Sequence, residues 1–135
     1  MTTGSWDPES GTSTAGAELD AQLLGRLLTI AESGSLDALE ALMTPDDVKR
    51  SAIMQLPLTS WETALENYNN AQLLALIRFF TLAEMQLPGW QAGEKSPVIA
   101  INRLLKGRGH KLEKPLLQWI RQNSDNRFLP NGPIG

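Results

Sequence analysis

The sequence predicts an all-α protein, a compact single-domain bundle of five to seven helices with a disordered N-terminal tail. Three observations carry that expectation. Apolar residues recur at three- and four-residue spacing through most of the chain. Ser or Thr followed by Pro marks two helix starts, at Thr44-Pro45 and Ser96-Pro97. No segment shows the alternating β-branched pattern of a strand. At 135 residues and 41% hydrophobic, such a chain can bury about two-thirds of its unfolded surface without cross-links.

Residues 1–16 are rich in Gly, Ser and Thr and offer little to pack, so they are expected to stay a tail. The helical domain is expected over 17–130, with a flexible end at 131–135. From Ala17, Leu19, Leu23, Leu27 and Ile30 form one face, closed by Ser33-Gly34. Ser35 is then read as the cap of a short helix with Leu36, Leu39 and Met43 inward. Thr44-Pro45-Asp46-Asp47 gives a cap, a first-turn proline and two carboxylates at the positive end of the helix dipole. That third helix is expected to reach about Gln55 and to stop at Leu56-Pro57.

Thr59 and Glu62 have the spacing of a capping box, which places a fourth helix start there. Asn67, Asn69 and Asn70 interrupt it. The segment 71–87 is apolar nearly all round and has to be surrounded. Its Arg78 and Glu84 point about 120° apart and are not expected to pair. A loop over Pro88–Lys95 leads to a sixth helix with Val98, Ile101 and Leu105 inward, ending at Gly107. A seventh follows Lys114-Pro115 and frays over 123–126, after which Phe128 and Leu129 tack the chain down. Met-Gln-Leu-Pro occurs at Met54 and again at Met85, read as one stop signal used twice.

Charge is unevenly spread along the chain. Residues 1–94 carry 4 basic and 13 acidic side chains, residues 95–135 carry 8 and 2, so formal charges of -9 and +6 sit within a net of -3. Trp90, Arg103, Lys106, Arg108, His110, Lys111 and Lys114 are the candidate binding residues. In the segment 102–111, Gly107 and Gly109 allow close backbone approach, and their N–H groups could line an anion nest amid the cations. The two glycines resemble the hairpin of a helix-hairpin-helix DNA-binding element. The resemblance stops at Arg108, which takes the apolar middle position, and at Pro115, which falls where the second helix should be running. Trp90 is read either as a core plug or, if exposed beside Arg103 or Arg108, as a stacking platform.

With no Cys and one His, disulfides, thiolate nucleophiles and clustered metal ligands are not expected, and no cofactor is. Nucleophile-elbow, phosphate-loop and dinucleotide motifs are lacking. An enzyme would need a pocket joining His110 to Glu84 or Glu113. No run approaches the roughly 18–20 apolar residues of a membrane span, and the first residues do not read as a signal peptide. The expected function is a non-catalytic cytoplasmic interaction or regulatory module that docks an acidic protein partner through Arg103, Lys106, Arg108, Lys111 and Lys114. Trp90 and Phe128 would add specificity. The alternative is nucleic-acid binding by the 102–122 helix-loop-helix region, with Gln118, Arg121 and Gln122 at base edges. A pI near 5.1 argues against it.

Overall fold

In the computed structural model, residues 19–132 are described; the expected tail over 1–16 lies outside them. Among the described residues there are seven α-helices and no strand. They are α1 (Ala21–Ser33), α2 (Leu39–Leu42), α3 (Pro45–Val48), α4 (Leu58–Leu65), α5 (Asn70–Gln86), α6 (Pro97–Gly107) and α7 (Lys114–Asn123), with 3-10 turns at Ser51–Gln55 and Gly93–Lys95. The all-α expectation holds.

Local chemistry sets most of the ends. Asp20 starts α1 by accepting from the Leu23 amide at 2.6 Å, and Gly34, at φ 77°, closes it. Thr44 caps α3 and Ser96 caps α6, each followed by Pro at the first position. Both copies of Met-Gln-Leu-Pro end a helical segment, with Leu56 and Leu87 in extended backbone, as the residue before Pro prefers.

Three starts and one end differ from expectation. α1 begins at Ala21 with Asp20 extended before it, where the apolar spacing places a start at Ala17. Ser35 caps nothing, and α2 begins only at Leu39. Gln86, on α5, accepts from the Leu39 amide at 2.9 Å and donates to the Leu36 carbonyl at 2.8 Å, holding the segment before α2 open through a long-range contact. The third helix stops at Val48 and resumes as a 3-10 turn. Thr59 lies inside α4, which starts at Leu58 after Pro57 and has no side-chain cap. The capping box occurs one helix later: Asn69 accepts from the Gln72 amide at 2.8 Å, and Gln72 accepts from the Asn69 amide at 2.9 Å.

The long helix α5 is central because it is apolar nearly all round. α1 and α2 pack on it, as do α6 and α7, while α4 packs on α6. Phe80 meets Phe79 and Trp61 edge-on, at 5.0 and 5.1 Å between ring centres. Thr81, fully buried, donates back to the Ile77 carbonyl at 2.7 Å, so its hydroxyl is satisfied inside the core. Glu84 and Gln86 leave α5 about 160° apart. One reaches Ser96 at the start of α6 and the other reaches Leu36 and Leu39. The α1–α3 layer and the α6 layer therefore lie on opposite sides of α5.

Asp47 is buried and takes both carboxylate oxygens to Arg26, at 2.8 and 2.9 Å, with Arg50 at 3.9 Å. It is thus a pin between α1 and α3 and not simply a dipole-complementing carboxylate. Arg26 and the neighbouring charges hold its carboxyl below the usual aspartate range. Its contribution is present above that range and lost as pH falls through the lowered value. Asp47→Asn is expected to cost roughly 1–2 kcal/mol at neutral pH, discounted because Arg26 is largely solvated, and to flatten the acid limb of stability measured by urea titration.

Candidate functional site

The basic C-terminal region is built on α6, the loop 108–113 and α7, and the fold divides its cations into engaged and free. Arg103 lies 3.8 Å from Glu62 on α4. Lys106 donates to the Asn131 side chain at 3.2 Å. Arg108 donates to the carbonyls of Glu66 and Tyr68 and to the Asn70 side chain, at 2.7–2.9 Å, and so clasps the α4–α5 turn. Lys111 and Lys114 are exposed, with no carboxylate within 4 Å among the described residues.

No anion nest forms at the two glycines. Gly109, at φ 77°, takes the left-handed position that ends α6. Its amide donates to the Lys106 carbonyl at 2.9 Å, the His110 amide to Leu105 at 2.8 Å, and the Arg108 amide to Leu104 and Leu105. Three successive N–H groups thus turn back onto the helix and none faces a ligand. His110 is half-buried beside this turn.

Trp90 is a core residue and not a stacking platform: it is 0% exposed, and its indole N–H donates to the Val48 carbonyl at 2.8 Å. The large apolar bulk of the ring, set after Gly89, is better buried against α3 than left in the loop. Trp61 is fully buried, and Trp119 is half-buried with the Arg78 guanidinium 5.1 Å above its ring. Phe128 is half-buried under Arg127, at 5.3 Å.

Along α7, Lys114, Gln118 and Arg121 are exposed and fall within an arc of about 60°. Lys114 sits at the positive end of the α7 dipole, where a cation does nothing for the helix. Arg121, in the last turn, is favourably placed.

A groove of about 400 Å³ opens beside α7, lined by Glu84, Met85, Gln91, Gly93 and residues 124–128. Glu84 shapes its base. Although 2% exposed, it accepts from the Ala92 amide at 3.2 Å, from Asn126 at 3.0 Å and from the Ser96 hydroxyl at 2.5 Å. Burial pushes its carboxyl above the usual glutamate range, against the pull of those three donors. Asn126 also donates to the Gly93 carbonyl and accepts from the Phe128 amide, both at 3.0 Å. His110 does not line this groove, and Arg78 and Glu84 do not pair. Sequence reasoning missed Glu84 and Asn126 as organisers. The one available signal was a lone carboxylate in Leu82-Ala83-Glu84-Met85, a position that demands donors once buried.

At the chain's end, Asn131 and Gly132, read as the start of a flexible segment, are tied down. Asn102 donates to the Pro130 carbonyl and the Asn131 side chain, and the Gly132 amide to Phe128. Among the described residues, no helix is long and apolar enough to cross a membrane. No protein-family description fits this chain, and neither characterised proteins nor solved structures show significant similarity to it.

Proposed function

We propose that the protein is a non-catalytic cytoplasmic docking module that engages an acidic protein partner through Lys111, Lys114, Gln118 and Arg121. The observation that carries this reading is the position of those cations. They are exposed, unpaired among the described residues and gathered on α7 and the loop before it. The packing of α1 and α2 on α5 supports it further, because the exposed acids Glu32, Asp37, Glu40 and Asp46 then belong to elements other than α7, with Glu113 before Lys114 and Asp125 after the helix as the exposed acids adjoining that face. Such separation favours an acidic partner at one face and discourages indiscriminate contact at the other. Arg103 and Arg108 serve the fold in this reading, and Trp90 supplies no contact.

Lys114→Glu combined with Arg121→Glu tests it. Both positions are exposed, so the melting curve should be unchanged within about 0.5 kcal/mol. Acidic proteins retained by the wild-type chain in affinity capture should be lost. Unchanged capture, or tight binding to duplex DNA with a log–log salt slope of about 0.9 per neutralised phosphate, would overturn the proposal.

A further inference from the structure

We propose that the acidic partner of this module is a second copy of the chain, the acidic corner around Leu42 in one copy seating in the Met85–Phe128 groove of the next. This rests on the basic docking reading given above, shares Arg121 with it and extends it to Arg127 and the groove beside α7. Among the described residues the two exposed large apolar side chains are Leu42, at 46%, and Met85, at 45%. Exposed acids surround the first, and Arg127 and Arg121 stand on the exposed rim near the second.

Leu42 closes α2 amid Asp37, Glu40 and Asp46, all exposed, with no cation within 4 Å among the described residues and no Lys or Arg between 27 and 48. Met85 lines the groove of about 400 Å³ together with Phe128 and Arg127. A second depression of about 410 Å³ on the other side of the 124–127 segment brings in Arg121. Asp125 lines both, and Glu84 lies at the base of the first, 2% exposed and held by three donors, so the exposed rim sets Arg121 and Arg127 against Asp125 alone and is positive.

The two patches cannot serve each other within one molecule. Met85 and Gln86 leave α5 about 100° apart, and Gln86 fastens the segment that carries Leu42. Knob and groove therefore face different directions. Contact runs head to tail between copies, an arrangement that closes into a ring or continues as a chain. Burying Leu42 on Met85 and Phe128 supplies the apolar centre, and Glu40 and Asp46 against Arg121 and Arg127 supply the charged rim.

Sedimentation of the full chain tests this directly. The mass should rise above the 14.8 kDa of one chain as concentration increases in about 50 mM salt. It should return to one chain in about 1 M salt, where charges beyond ~3 Å are screened. Glu40→Lys with Asp46→Lys, and separately Arg121→Glu with Arg127→Glu, should each give single chains. An equimolar mixture of the two variants should associate again, because each now offers the other a complementary face. All four positions are exposed, and recovery in the mixture shows that both variants are folded. A wild-type chain that stays at 14.8 kDa up to about 1 mM, or a mixture that fails to associate, overturns the inference. Affinity capture that still depends on Lys114 and Arg121 would then leave the docking reading standing.

Discussion

Replacing Trp90 with alanine lowers the unfolding midpoint by about 10 °C or more, as read by circular dichroism on heating. A fully buried Trp reduced to Ala costs about 3–5 kcal/mol through lost burial and the cavity left behind. For a domain of this size each kcal/mol moves the midpoint by roughly 2–8 °C. A further loss follows at Val48, whose carbonyl no longer receives the indole N–H. Trp90→Phe separates the two parts, since it keeps most of the volume but strands that carbonyl, at about 1–3 kcal/mol. Neither change should alter capture of acidic partners under conditions where the chain is folded, because the ring is enclosed. A Trp90→Phe protein that melts normally but loses its partners would show the ring acting at a surface.

Glu84→Leu should be nearly as damaging, by roughly 3–6 kcal/mol in urea titration. It removes the shared acceptor of three donors, the Ala92 amide, the Ser96 hydroxyl and the Asn126 side chain, and each stranded donor costs about 1–3 kcal/mol. Asn126 also holds Gly93 and Phe128, so the groove walls should loosen together. Glu84→Gln behaves differently. It is nearly isosteric and never charged, whereas the native carboxyl is raised by burial. The folded chain therefore holds this proton more tightly than the unfolded one. That contribution is complete below the ordinary glutamate value and is lost as pH rises through the raised value. Relative to wild type, Glu84→Gln should gain stability with increasing pH across that window and stay level on either side. Asp47 runs the opposite way, losing its contribution towards acid, so stability is bounded on both sides by named carboxylates.

How far these features can be read from sequence depends on the range of the interaction that creates them. Thr44, Ser96 and Gly34 act on amides or backbone within a few residues, and the starts of α3 and α6 and the end of α1 follow from composition; Asp20 acts as locally, yet the apolar spacing back to Leu19 hides it inside a helix expected from Ala17. The repeated Leu-Pro stop is legible for the same reason. Thr59 and Glu62 misled because their spacing is right while Pro57 starts the helix earlier, and Asn69 read as a breaker when it is a cap. Other features need distant partners. Gln86 opens the segment before α2 from some 50 residues away, and Arg108 finds its acceptors about 40 residues upstream. Both use flexible polar side chains that leave no periodic trace. In the candidate site the residue types were legible and their employment was not. Among the described residues Lys111 and Lys114 remain free, whereas Arg103 and Arg108 are taken by α4 and the turn after it, and Trp90 is taken by Val48.

Because α1, α2, α6 and α7 all lean on α5, neither side of the molecule owns a private interior. Peeling away either one would bare α5 and undo the other's support. Damage at α1 is therefore felt at α7, and heat should take the described helices apart in a single cooperative event with no half-melted intermediate.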